Sequence, residues 1–231
     1  MTAYTIESVC ITRVNSGACL NRNNLYADGS LLESGNRGLR RAVSRRTSAE
    51  GVKLFSLLEG KGDERAAGEA AQLAGQMLDD KLRELDHLLL TPRTRLDRCH
   101  ESMNRALLES GGKAEVVTAL LTPEEIYIYN AGAARAYRLR SVELMQLSRD
   151  NGAQLGTAAS ELAEERYLAR GELLPGDIYI LCNRDFSEKL NLLHFFDLRN
   201  GEGSMKEAAE KLIALLPEED SALLLLRILR E

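Results

Sequence analysis

The segment from Ile126 to Asn151 constrains the fold most, because it holds three short runs of strand-forming residues joined by tight turns. Ile126 to Tyr129 alternates β-branched and aromatic residues, which suit a pleated and half-buried surface. Asn130-Ala131-Gly132 predicts a turn, since glycine takes a positive φ at no steric cost. Ala134 to Leu139 predicts the return strand and Val142 to Leu147 a third. Together they predict an antiparallel meander with one buried face and a turn available as a loop site.

Length and charge limit the classes of function. The chain has 231 residues, of which 44% are hydrophobic and 28% charged, which is typical of a globular protein with a sizeable core. We expect a single domain over residues 1–231, with no repeats and no low-complexity linker. The formal net charge is -5. A whole-chain basic field for nucleic acid or anionic membrane is therefore absent, and no nucleic-acid partner is expected.

Cysteine usage and hydropathy indicate the compartment. The four cysteines are scattered and lack CxxC spacing, which favours a reducing cytoplasm over a disulfide framework or a thiolate metal site. The N-terminal MTAYTIESV lacks a basic region followed by an apolar one. The longest apolar runs, Ala222 to Leu226 among them, are far too short for a membrane span. We expect a cytoplasmic protein, or a cytoplasmic domain of a larger one, with no membrane span in this chain.

Elsewhere the pattern predicts alternating strands and helices. Asp63 is a good N-cap for a long amphipathic helix that Thr91-Pro92 ends. Ser204 and Glu207 predict a capping box at the start of a later helix. Gly152 to Arg170 is polar and weakly patterned, and we expect it to cover the edge of a site. The remaining predictions are strands at Thr5–Val14, Leu25–Leu32 with a turn at Asp28-Gly29, Val52–Leu58, Val116–Leu121 and Ile178–Cys182, and helices at Arg95–Ser110 and Ser204–Leu216.

The stretch from Gly35 to Glu50 is polar and rich in arginine. One interpretation is a solvated loop between strands. The other is an anion-binding patch, because guanidinium groups bind phosphate through paired N–H donors. The residues proposed for such a patch are Arg37, Arg40 and Arg41.

Several motifs resemble the type-2C metal-dependent serine/threonine protein phosphatases, the PPM family. The family segment NxGDSRxYxL…LxxDH is matched at Asn130, Gly132, Arg135, Tyr137, Leu139, Leu147 and Asp150. The family motif FxVxDGMGGxxxGExAS is matched at Phe55, Gly60, Gly62, Gly68, Glu69 and Ala70-Ala71. Pro175-Gly176-Asp177 with Leu181-Cys182 resembles the family's PGD and LC, and the last strand resembles its DNxTVVVVR. The resemblance covers nearly the whole chain. It implies an α+β fold, a four-layer α-β-β-α sandwich of two antiparallel sheets flanked by helix pairs.

The resemblance also implies where the family's metal site falls, and there the chemistry is partly missing. The family holds Mg²⁺ or Mn²⁺ in a cluster of aspartates, which supply oxygen ligands and offset the cations' charge. The four matched metal positions carry Asn23, Glu59, Arg184 and Glu219, so four aspartates (-4) become a net charge of -1. The aspartate of GDSR is Ala133, and the Gly60 carbonyl is a further ligand in the family. Asp185 and Asp220 are neighbours that a shifted register could recruit.

Two interpretations of Arg184 stay open. In the first, its guanidinium fills a vacated metal position and bridges Glu59 and Glu219. In the second, it points to water.

Three functions follow. The leading hypothesis is a pseudophosphatase without a cofactor. It would be a binding or regulatory module in phospho-signalling for a protein partner, and it would recognise phosphate through Arg184 or the Arg37–Arg46 cluster. The second is a divergent phosphatase that keeps one Mg²⁺ or Mn²⁺ on Glu59, the Gly60 carbonyl and Glu219 or Asp220. The third is a purely structural domain with no ligand.

Overall fold

Twelve strands of the described residues form two six-stranded antiparallel sheets, and six of these strands consist mostly of β-branched, aromatic or leucine residues. The computed structural model describes residues 4–14, 20–32, 38–39, 41–189, 192–200, 203–216 and 220–230. In the first sheet the order is β4-β1-β12-β11-β8-β9, and in the second it is β10-β7-β6-β5-β2-β3. The strands are β1 Tyr4–Arg13, β2 Asn23–Ala27, β3 Leu31–Leu32, β4 Val43–Ser48, β5 Lys53–Lys61, β6 Lys113–Leu121, β7 Glu125–Ala131, β8 Arg135–Arg140, β9 Glu143–Gln146, β10 Tyr167–Glu172, β11 Ile178–Cys182 and β12 Ser221–Arg230.

The helices begin at recognisable sequence signals. The Asp63 side chain accepts a hydrogen bond from the Ala66 N–H at the start of the first helix, as predicted. Thr91 caps the second helix, whose first residue is Pro92. Ser204 and Glu207 form the predicted capping box. The helices are α1 Glu64–Leu85, α2 Pro92–Ser110, α3 Ala159–Glu165, α4 Arg184–Lys189, α5 Leu192–Asn200 and α6 Met205–Ala214.

Three apolar layers hold the fold together. Phe55 of the second sheet and Leu224 of the first belong to one cluster between the sheets. Leu58 packs with the α1–α2 pair on the outer side of the second sheet. Phe195 and Leu212 pack on the outer side of the first sheet. Burial of side chains in all three layers supplies the main driving force for folding. The predicted α-β-β-α sandwich is confirmed.

The meander predicted for Ile126–Asn151 is wrong in its pairing. β7 pairs with β6 and β10 in the second sheet, whereas β8 pairs with β11 and β9 in the first. The turn at Gly132-Ala133 therefore carries the chain from one sheet to the other. Gly132 has φ 104°, a backbone conformation that favours glycine. The turn residue was predicted correctly, but the alternation of side chains could not reveal which sheet each strand joins.

Two polar stretches contain structure that the sequence pattern did not predict. Val43–Ser48, inside the arginine-rich stretch, is strand β4 at the edge of the first sheet, so the solvated-loop interpretation is wrong there. Gly152–Arg170 contains α3 and the start of β10. Both strands lie at sheet edges and have no fully buried residue, so they lack the apolar alternation by which strands are recognised. None of the helices in the described parts of the chain has the length and apolar character that a membrane span needs.

Candidate functional site: a cleft with an internal ammonium

Three polar side chains lie in one row across the ends of β2, β5 and β6. Asn23 pairs with Glu59, and Glu59 pairs with Glu115. All three residues are buried, at 2%, 5% and 8% exposure respectively. Like charges directly opposite each other on neighbouring strands destabilise a sheet. Glu59 and Glu115 therefore need a positive charge beside them.

Lys61 supplies that charge from the same strand as Glu59. Its Nζ lies 2.9 Å from Glu59 Oε1 and 3.3 Å from Glu115 Oε2. Residues two apart on a strand point to the same face, which brings the ammonium over the carboxylate. Burial raises the pKa of Glu59, although Lys61 acts to lower it. Burial also acts to lower the pKa of Lys61, but the charges of Glu59 and Glu115 outweigh it and raise that pKa. Lys61 is therefore a cation at neutral pH.

Two glycines of the matched motifs allow the backbone to approach closely here. A Cβ on Gly60 would lie 1.7 Å from the Ala67 carbonyl oxygen, at the first turns of α1. A Cβ on Gly132 would lie 2.2 Å from Glu115 Cγ. The Ala133 N–H donates to Glu115 Oε2 at 3.0 Å. The turn that carries an aspartate in the resembled family thus donates a backbone hydrogen bond to Glu115 in this protein.

A second ion pair links the two sheets beside Gly60, whose N–H donates to the Arg22 carbonyl at 2.8 Å. The region that holds both sets of ion-paired side chains is called the cleft below. Arg22, just before β2, has its Nε 3.0 Å from Asp220 Oδ2, just before β12. Asp220 is buried, with 8% exposure. The Asn183 side chain donates to the Asp220 carbonyl at 2.7 Å and accepts from the Ala222 N–H at 2.9 Å. Asp220 is thus held at the cleft with a guanidinium beside it. Glu219 lies outside the described residues.

Arg184 forms its ion pair with Glu188 and not with Glu59. It begins α4, its Nε lies 2.8 Å from Glu188 Oε1, and its side chain is 54% exposed. Glu59, which Arg184 was expected to contact, accepts a hydrogen bond from Lys61 through its Oε1 instead. The hypothesis of an arginine on Glu59 is therefore wrong, and the alternative of a side chain directed to solvent agrees with its exposure. The neighbouring Asp185 does act on Glu59, because its charge contributes to the raised pKa of that carboxyl.

The predicted anion-binding residues do not form one cluster in the described part of the chain. Arg37 and Arg40 lie outside the described residues. Arg41 is exposed and borders a groove together with Arg13 and Glu210. Arg184 lies beside Glu188, which competes for its charge.

The residues at the cleft do not fit the metal pair that this fold implies. Hard divalent cations need several oxygen ligands with net negative charge. Lys61 already occupies the space between Glu59 and Glu115, Arg22 neutralises Asp220, and Ala133 offers no ligand. No group of three or more His, Cys, Asp or Glu side chains within the described ranges is placed to hold a metal ion.

The sequence pattern did not predict the ion pairs of Lys61, Glu115 and Arg22. The i, i+2 spacing of Glu59 and Lys61 on a predicted strand was a usable signal, because it places both side chains on one face. Glu115 could not be found in this way, since its contact with Glu59 depends on the register between β5 and β6. Arg22 meets Asp220 only because the two sheets pack together.

The fold and the matched turn glycines define the class: the chain has the fold of the type-2C (PPM) serine/threonine phosphatases. The catalytic domain of the serine/threonine phosphatase PstP, in complex with two manganese ions, is 19% identical, with a TM-score of 0.70 over 98% of this chain and 99% of that chain. The S. agalactiae serine/threonine phosphatase is 17% identical, with a TM-score of 0.75 over 98% and 100%. PppA of Pseudomonas aeruginosa is 18% identical, with a TM-score of 0.69 over 98% of each chain. At these identities the likeness concerns the fold alone.

No protein-family model matches the sequence, and the comparison with curated proteins found no match.

Proposed function

We propose that this domain is a catalytically impaired type-2C phosphatase-like module, a pseudophosphatase, that acts in the cytoplasm by binding another protein in phospho-signalling. The observation that carries the proposal is the Lys61 ammonium, which lies 2.9 Å from Glu59 and 3.3 Å from Glu115. Cys10, Cys99 and Cys182 are free thiols, which suits a reducing compartment.

The chemistry of phosphate-ester hydrolysis explains why this ammonium matters. Paired metal ions lower the pKa of a bridging water and neutralise the transferring phosphoryl group. A lysine ammonium has no open coordination position for a water, and it repels a second cation at the same carboxylates. Asn23 and Ala133 remove two further anionic positions. Among the described residues, the cleft therefore lacks the donor set on which the activity of this fold depends.

A phosphatase-like domain that cannot hydrolyse phosphate esters can still bind another protein through its surface. PppA is described as a key regulatory component of T6SS, so at least one protein of this fold has a regulatory assignment. The extension to this chain rests on fold analogy. Among the predicted anion-binding residues, Arg41 is favoured for a phosphorylated partner, because it is exposed whereas Arg184 is held by Glu188.

Measurements of metal binding and turnover test the proposed loss of catalytic activity. The purified protein is titrated with Mn²⁺ and Mg²⁺ by calorimetry, and hydrolysis of p-nitrophenyl phosphate and a phosphothreonine peptide is measured in the same buffers. We expect neither binding nor turnover. Turnover that disappears in Glu59→Gln but persists in Glu69→Gln, an exposed carboxylate on α1, would establish the alternative of a divergent phosphatase with a residual metal on Glu59, the Gly60 carbonyl and Glu219 or Asp220.

Measurements of peptide binding test the proposed recognition of a phosphorylated protein partner. Affinity for paired phosphorylated and unphosphorylated peptides is compared in the wild type, Arg41→Glu and Arg184→Glu. We expect a preference for the phosphorylated form that Arg41→Glu removes and Arg184→Glu reduces less. Absence of binding to all peptides and to inorganic phosphate would favour the purely structural domain.

A further inference from the structure

The pairing of Glu59 with Glu115 poses a problem for stability. The two carboxylates face each other on hydrogen-bonded strands, and their side chains are only 7% and 11% exposed. Water screens such a pair poorly, so the repulsion between two ionised groups is far larger than at the surface. A fold that keeps both acids needs a cation between them.

Lys61 supplies this positive charge, and its ammonium contacts both carboxylates as a bound metal ion would. One ammonium contacts one oxygen of each acid, and its side chain is 28% exposed. The second carboxylate, Glu115, also accepts the Ala133 N–H. Lys61 follows Glu59 by two residues on strand β5. The positive charge at the site is therefore part of the protein chain and does not have to bind from solution.

We propose that Lys61 is an internal counter-ion that takes the structural place of a divalent cation, so that the ends of β5 and β6 stay together without metal. This inference rests on the proposed function in treating the cleft as non-catalytic, but it concerns stability rather than turnover. It has a direct corollary. Once the ammonium is removed, Glu59 and Glu115 are left as two adjacent buried anions, and a divalent cation from solution can compensate them.

The test compares Lys61→Met with Lys81→Met. Lys81 is a matched control because it is also a partly buried lysine, with 24% exposure, and is ion-paired to Glu84 on α1, away from the cleft. Melting temperatures are measured for the wild type, both variants and Lys61→Arg, in EDTA and in millimolar MnCl₂ or MgCl₂. A Glu59→Gln/Lys61→Met double variant is included.

We expect Lys61→Met to melt at least about 5 °C below the wild type in EDTA, and Lys81→Met by less than half of that. Mn²⁺ should recover most of the loss in Lys61→Met while leaving the wild type and Lys81→Met unchanged. Lys61→Arg should remain close to the wild type. The double variant should have a higher melting temperature than Lys61→Met, and Mn²⁺ should not change that temperature, because one of the two anions has been removed.

Three results would overturn the inference: equal melting temperatures for Lys61→Met and Lys81→Met, no Mn²⁺ response in Lys61→Met, or an equal Mn²⁺ response in the wild type. If Lys61→Met does not fold, the double variant decides, since it should fold only if carboxylate repulsion was the cause. Melting does not depend on turnover. A catalytically active protein with these stabilities would refute the proposed function alone.

Discussion

The guanidinium of Arg135 contacts both carboxylate oxygens of Asp150, with Nε 3.0 Å and 3.2 Å away and Nη2 2.6 Å from Oδ2. The same guanidinium also reaches Ser187 and Glu188 on α4. Arg135 thus ties the segment after β9 to the helix that begins at Arg184. Arg135 and Asp150 are both matched positions of the family motif: Arg135 is the first residue of β8, and Asp150 is the last matched residue.

Replacing Arg135 should loosen this connection. We expect Arg135→Ala to lose about 1–2 kcal/mol in the free energy of unfolding, because it removes a two-pronged charged hydrogen bond from a side chain that is 15% exposed. Urea unfolding measures the loss. Arg93→Ala is the control, since Arg93 is 70% exposed and lies 3.9 Å from Asp97. Equal losses for both variants would contradict a structural role for the Arg135–Asp150 pair.

His100 should make stability depend on pH. It is fully buried and stacks on Tyr129. Its Nδ1–H donates to the Leu96 carbonyl, and its Nε2 accepts from the Thr118 hydroxyl. Burial lowers its pKa from 6.5 to about 3. Between these two values the unfolded chain binds a proton that the folded chain does not. Stability therefore falls as the pH drops from 6.5 towards 3, by at most about 1.4 kcal/mol per pH unit.

Unfolding by urea across this pH range measures the effect. His100→Gln should show a flatter pH profile than the wild type, although it is less stable at neutral pH. His87→Gln, at an exposed position, should keep the wild-type profile. If the His100→Gln profile were as steep as the wild type's, His100 would not be the group responsible.

Gly60 should not tolerate a side chain, for reasons of space alone. A Cβ would lie 1.7 Å from the Ala67 carbonyl oxygen, and backbone atoms have little freedom to move. We expect Gly60→Ala to cost about 3 kcal/mol or more. Gly171→Ala is the matched control in strand β10, where the nearest atom, Ile126 Cγ2, lies 3.7 Å from the added Cβ. Thermal melting of the two variants compares them. Similar melting temperatures would show that the β5–α1 junction moves apart more easily than its geometry indicates.

Asn183 should be sensitive to the loss of either half of its amide. The side chain is buried, with 1% exposure, and bridges the Asp220 carbonyl and the Ala222 N–H. We expect Asn183→Ala to cost about 2–3 kcal/mol, because a buried donor and acceptor lose their partners.

Asn183→Asp separates the two hydrogen bonds. Its carboxylate can still accept from the Ala222 N–H but cannot donate to the Asp220 carbonyl, and it buries a charge. This variant should be less stable than Asn183→Ala at neutral pH and should recover as the pH is lowered. A stability that does not change with pH would indicate that water reaches the site.

Local sequence signals predicted the frame of the site but not its charges. Gly132 was predicted as a turn residue, Gly60 was singled out by the motif that resembles the family, and Asp63 was predicted because capping follows a local rule. The direction of Arg184 could not be decided from the sequence, because it depends on α4, a helix of six residues in which Glu188 pairs with Arg184. Lys61 was overlooked because its second acid, Glu115, comes from another strand. The arginine-rich edge strand β4 was missed because its pairing with β1 does not require apolar alternation.

The pairing of β1 with β12 also has a kinetic consequence. Tyr4 pairs with Arg230, and Arg13 pairs with Ser221, so two adjacent interior strands of the first sheet come from opposite ends of the described chain. Contacts between such distant segments carry a large loop-closure entropy and slow folding. During synthesis on the ribosome, β1 emerges long before its partner. Until β12 arrives, β1 has only β4 as a partner strand among the described strands, and this interval is when the nascent chain is most exposed to mispairing.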